Sequence, residues 1–191
     1  MEPEEIRHRF SDRLFHWVMA ALVLILLGSA FLPILGIHFN WVPIHWISGI
    51  LLILAIIFHL YRSLFVHGLM VMMPTKDQLL AGISQKEFND PNKYDLNQKL
   101  YHWGMAFTVI VLLVTGALMM VKIDTPFWRR DPSILTDSSW GLVYAMHGIA
   151  SLLIIFFLIL HVYFAFLPEH RDLLISMVFG RRKRRDKGAA E

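Results

Sequence analysis

There is no cysteine among the 191 residues of this chain. That absence excludes disulfides, iron–sulfur clusters, covalently attached c-type haem and thiolate zinc sites within it. Histidine and methionine are left to hold any redox centre. Charge is scarce as well: 17% of residues are Asp, Glu, Lys or Arg, against 56% hydrophobic, and the mean hydropathy is +0.52. A chain this apolar is not an ordinary soluble domain and reads as an integral membrane protein. The opening stretch from Met1 to Arg13 is rich in charge and runs straight into an apolar segment without a small-residue cleavage site, so that segment is expected to be retained as a first span.

Hydropathy predicts four spans, at about 14–35, 42–66, 98–121 and 141–167, each long enough to cross a bilayer as a helix. Helices are the only open-ended solution in lipid, because each satisfies its own backbone. Short connections join spans one and two and spans three and four. A longer polar link at 67–97 is broken at Met73-Pro74 and Asp90-Pro91. The expected fold is therefore all-α: a single domain over 1–191 in an up-down-up-down four-helix bundle, with a basic tail at 168–191. Within the link, Thr75 is placed to cap a short surface helix over 76–88.

Positive charge orients this bundle. Three Lys or Arg precede span one, five lie between Arg62 and Lys99, and seven follow span four. The other three are Lys122, Arg129 and Arg130, in the third connection. The side shared by both termini thus holds fifteen of eighteen basic residues, and the positive-inside rule makes it the cytoplasm. In a bacterium the location is the inner membrane. The run at 181–185 beside a four-span bundle fits the lipid surface, and no nucleic-acid partner is expected.

Against this apolar background, the histidines form a pattern. His45 and His59 on span two, and His147 and His161 on span four, repeat one spacing of fourteen residues. Fourteen residues of α-helix return to within about 40° of the same face, roughly 21 Å further along. Each helix therefore offers two imidazoles at two depths. Ionisable groups in a membrane are expensive and mark pathways or cofactors. The stacked pairs point to two haems, each held by two neutral imidazoles whose other ring nitrogen needs an acceptor. Gly49, Gly116 and Gly148 lie on the implicated helices, where a macrocycle must approach the backbone. His45 and His147 form the outer level, while His16, His59, His102 and His161 all lie at the cytoplasmic level. Spacing alone leaves the pairing of those four open.

Four stretches carry a family resemblance. They are Asp12-Arg13-Leu14-Phe15-His16-Trp17, Ile44-His45-Trp46-Ile47-Ser48-Gly49, the run from Lys93 to Lys99 leading to Leu113-Val114-Thr115-Gly116, and His147-Gly148 with His161 to Phe166. With them the chain resembles the gamma, or cytochrome b556, subunit of membrane-bound respiratory formate dehydrogenases, and more broadly the cytochrome b subunits of nickel–iron hydrogenases and thiosulfate reductases. The resemblance implies two haem b groups, one on His45 and His147 and one on His16 and His161. The rival pairing of His59 with His161 is what the repeat suggests and what cytochrome b of the bc complexes uses. His59 and His102 depart from the family pattern, and their alternatives are a quinone or proton path, an additional or third haem, or an ordinary hydrogen-bonded interior.

The resemblance also implies a quinone site, for menaquinone or ubiquinone, at the positions of Asp95, Asn97 and Gln98 before span three; His102 is the nearby proton donor. Asp95 is equally suited to capping the helix. The implied partners are an iron–sulfur electron-transfer subunit and a formate dehydrogenase-like catalytic subunit, which carries the chemistry of the primary substrate. The connections at 36–43 and 122–140 would receive the former, with Phe127, Trp128 and Trp140 as aromatic anchors. Reverse flow, from quinol into a hydrogenase or thiosulfate reductase, is the alternative within the family. A histidine-lined metal or proton transporter is a different class, disfavoured because the spans carry almost no carboxylates and show no broken half-helices or inverted repeat.

Overall fold

A computed structural model describes residues 4–6, 8–84 and 94–183. Four long helices dominate it: α1 (Phe10–Phe31), α2 (Trp41–Arg62), α4 (Leu96–Met120) and α5 (Asp137–Phe166). Each is long and apolar enough to cross a membrane. Two shorter helices, α3 (Lys76–Ser84) and α6 (Arg171–Phe179), and two three-residue strands, β1 (Glu4–Ile6) and β2 (Arg181–Lys183), accompany them, with a π-helical turn at Ser63–His67 and 3₁₀ turns at Leu69–Met72, Pro132–Ile134 and Pro168–His170. Exposed side chains such as Leu24, Leu54, Phe107, Ile149 and Ile159 cover the bundle, a surface suited to hydrocarbon and not to water.

The expected spans are displaced slightly toward the N-terminus. Helix α1 stops at Phe31, earlier than the expected 35, because Leu32 to Gly36 form turns around Pro33, which has no amide hydrogen for the ladder. Helix α4 begins at Leu96 behind a capping box, in which Asp95 Oδ1 accepts from the Gln98 amide at 2.7 Å and Gln98 Oε1 accepts from the Asp95 amide at 3.4 Å. The same reciprocal device opens α3, between Thr75, the cap that the sequence predicts, and Gln78, which it does not single out. Residues 85–88 of that expected helix lie outside the described residues.

The bundle is built as two hairpins. Helix α1 lies along α2 and α4 along α5, whereas α2 and α4 meet only over a short stretch. Helix–helix contact in lipid gains little from apolar burial, since lipid is as apolar as leucine, and depends on small residues and interhelical hydrogen bonds. The buried set has that character: Ser29, Ser48, Thr108, Thr115 and Ala150 accompany Leu52, Val109, Val143 and Ile154. A seam thus separates hairpin α1–α2 from hairpin α4–α5.

Both chain ends gather at one end of the bundle. Strand β1 pairs antiparallel with β2, and the Arg13 guanidinium donates to Val178 O at 2.6 Å, capping the last turn of α6. Gly180 terminates α6 with φ +84°, and a Cβ there would meet Arg13 and the His8 carbonyl at 3.1–3.2 Å, so glycine suits both the backbone and the packing. At the same end, Arg62 of α2 donates to Asp12 of α1, and a buried Lys99 ties the connection to α4. Its Nζ donates to Gln78 Oε1 at 2.9 Å and Met73 O at 3.0 Å.

Candidate functional site

The histidines face one another across the seam. His45 of α2 stands opposite His147 of α5 with ring centroids 6.4 Å apart. His16 of α1 stands opposite His161 of α5 at 6.1 Å, and His59 of α2 opposite His102 of α4 at 6.3 Å. Every pair joins the first hairpin to the second. Two imidazoles bonded on opposite sides of one metal through bonds of about 2 Å would have centroids about 6.3 Å apart, from ring size and bond length.

Hydrogen bonds fix the ring chemistry of the pair remote from the termini. His45 Nδ1 lies 2.9 Å from Ser29 Oγ, whose own proton goes to Leu26 O. His147 Nδ1 lies 2.8 Å from Thr115 Oγ1, which donates to Val111 O at 2.6 Å. A hydroxyl has one proton, and each is committed to a helix carbonyl, so each must accept from the imidazole. Both Nδ1 atoms then carry hydrogen, and both Nε2 lone pairs are free to bind a metal. A Cβ at Gly116 would meet His147 Cε1 at 3.4 Å, so this glycine lets the imidazole lie against the α4 backbone. A cavity of about 220 Å³ adjoins the two rings, walled by Leu26, Gly49, Leu113 and Gly116 among others.

At the terminal end the environment differs. His16 Nδ1 is buried without a hydrogen-bond partner among the described residues, a costly state unless a bonded group takes it up. Tyr101 lies nearly parallel to His161 at 5.9 Å, and Phe15 nearly parallel to His59 at 5.2 Å. Stacking of this kind engages the face of each imidazole.

The donor set selects the type of metal. Among the described residues no three or more His, Cys, Asp or Glu side chains gather to hold an ion. A bare zinc ion asks for about four ligands. A porphyrin iron brings four nitrogens of its own and asks the protein for two.

A model of the family described as prokaryotic cytochrome b561 matches residues 7–180. The chain belongs to the prokaryotic cytochrome b561 family. It is also 26% identical over 181 residues to the formate dehydrogenase cytochrome b556 subunit of Haemophilus influenzae, covering 84% of this chain and 70% of that protein. The cytochrome is accordingly a multi-pass membrane subunit of electron transport, and haem b is the cofactor its family implies. The His45–His147 pair, with facing rings, defined tautomers and a glycine-thinned wall, fits that group.

The remaining sequence-derived residues divide by place. The structure brings His16, and not the repeat partner His59, opposite His161. Asp95 and Gln98 form the cap of α4, while Asn97 on its first turn is exposed. Of the three aromatic residues expected as anchors, Trp140 is only 3% exposed. Its Nε1 donates to Pro132 O, and Lys122 lies over its ring, so it holds the connection together from within. Trp128 donates to Met120 O, while Phe127 is 76% exposed. Sequence reading assigned no role to Ser29, Thr115, Gln78 or Lys99. Thr115 lies in one of the stretches that carry the family resemblance, but Ser29 has no such mark and is recognised only once α1 lies beside α2.

Proposed function

We propose that this cytochrome carries electrons between a partner iron–sulfur subunit and the quinone pool through bis-histidine haems, in a complex of the formate dehydrogenase type. The observation that carries this reading is the presence of facing imidazole pairs at two depths of one seam. Fourteen residues, or about 21 Å of helix, separate the depths. The name of the Haemophilus influenzae relative supports the choice of complex.

In this reading His45 and His147 hold the haem away from the termini and His16 and His161 hold the haem at the basic end. The basic end faces the cytoplasm of a bacterial inner membrane. Bound there, haem iron supplies one-electron transfer, linking the iron–sulfur subunit, fed by a catalytic subunit, to menaquinone or ubiquinone. Ser29 and Thr115 orient the far imidazoles and make them better donors by accepting their Nδ1 protons. The apolar spans exclude water from the seam. Quinone binds where α4 begins, against Asp95, Asn97 and Gln98. Because Gln98 Oε1 accepts from the backbone, its amide NH₂ is left to donate to a quinone carbonyl.

The test is a reduced-minus-oxidised spectrum of the purified complex together with identification of its subunits. A sharp b-type α band, reduced by formate and reoxidised by quinone, is expected. A colourless protein would overturn the haem reading. A coloured one that formate fails to reduce, accompanied by a different catalytic subunit, would overturn only the choice of complex.

A further inference from the structure

The pair His59 and His102 is not used as a ligand set in the proposed path. Its geometry nevertheless matches the other two: centroids 6.3 Å apart, one residue on each hairpin, at the same end as His16 and His161. We propose that His59 and His102 are the axial ligands of a third haem. This rests on reading the facing pairs as haem sites.

Three observations carry the inference. The separation is the one expected for two imidazoles sharing an iron, about 6.3 Å with bonds near 2 Å. Next, neither ring nitrogen of His102 forms a hydrogen bond within the described residues, and the contact of Phe15 with His59 is face to face.

The last observation is a small residue one helical turn from the imidazole, toward the membrane centre. A macrocycle held by the imidazole would need room at that position on the same face, which a bulky side chain would occupy. His45 has Gly49 there and His147 has Ser151. His16 has Ala20, His59 has Ala55 and His102 has Ala106. The exception is His161, with Phe157, and that ring is turned aside: a Cβ on Gly104 would touch its Cζ at 3.0 Å, and Tyr101 meets it edge-on at 5.5 Å. Both members of this pair thus have the small neighbour that His16, His45 and His147 have and His161 lacks.

The donor set again argues for haem and against a bare ion. No third His, Cys, Asp or Glu joins His59 and His102 among the described residues. His102 also follows Gln98 by four residues, so a centre here would lie on the quinone side of the terminal level.

The experiment counts haem and iron per chain in the purified full-length complex, then repeats the count for His59→Ala and His102→Ala. The native count needs no variant to fold. About three haems per chain are expected, falling by one third in each variant with loss of the same component from the redox titration. Two haems lost through His45→Ala and His16→Ala would overturn the third site and leave the proposed function intact. Two haems with one lost through His59→Ala but kept in His16→Ala would overturn it too and reassign the terminal pair. Copper or zinc bound in place of the third iron would also refute it, and a protein without haem would overturn both readings.

Discussion

Thr115→Val isolates the hydroxyl that receives the His147 Nδ1 proton, with little change of shape. Valine fills the same volume, and the Val111 carbonyl keeps its helical amide partner, so the main loss is the acceptor 2.8 Å from the ring. A buried donor left unpaired costs about 1–3 kcal/mol. At roughly 1.4 kcal/mol per decade, haem retention on the His45–His147 pair should weaken by about 5- to 150-fold. An imidazole that no longer shares its proton donates less charge to iron and favours the ferric state less. The midpoint potential of that centre should therefore rise. Redox potentiometry followed at the α band, with haem release measured in detergent, reads both effects. Ser29→Ala should act alike through His45, whereas Ser151→Ala should not, because Ser151 Oγ donates to the His147 carbonyl and not to its ring. Unchanged potential and retention in both Thr115→Val and Ser29→Ala, or a shift confined to the His16 centre, would refute the tautomer argument.

His16→Ala should remove one haem equivalent and one redox component while the far centre titrates normally; retention of both in the purified variant would reject the His16–His161 pairing. Asn97→Leu should slow reoxidation of reduced haem by added quinone without altering haem content, and stopped-flow traces identical to the native protein's would count against the quinone site. Asp95→Ala should cost about 1 kcal/mol through loss of the cap, read as a lower thermal midpoint with the spectrum preserved. Lys99→Met should strand the Met73 carbonyl and leave Gln78 Oε1 with the Thr75 amide alone, at a cost of about 1–3 kcal/mol, read as faster proteolysis of the 68–84 connection; native resistance would show that the lysine is dispensable.

The spans were legible because lipid leaves the sequence few options. Hydropathy missed their ends by a few residues, since Pro33 and the Asp95 box set them by local hydrogen bonding, although the capping role of Asp95 was itself legible. The repeat of His45, His59, His147 and His161 fixed depth along a helix, but depth carries no information on which helix lies opposite. That choice depends on the partition into hairpins, which brings His16 to His161 and His59 to His102. Trp140 misled for a related reason. An aromatic beside a span resembles an interfacial anchor until the loop folds over it and its indole finds Pro132 O.

The thin packing between α1–α2 and α4–α5 bears on how the subunit is made. Each hairpin satisfies its own backbone and can enter the bilayer independently, and once there lipid solvates both almost as well as they solvate each other. On the proposed reading, what would draw them together is coordination across the gap, one hairpin contributing one ligand of each pair and its partner the other. Prosthetic-group supply would govern maturation: a cell starved of haem would accumulate inserted but unmated halves exposed to membrane quality control. Abundance of the subunit would follow porphyrin synthesis without any dedicated regulator.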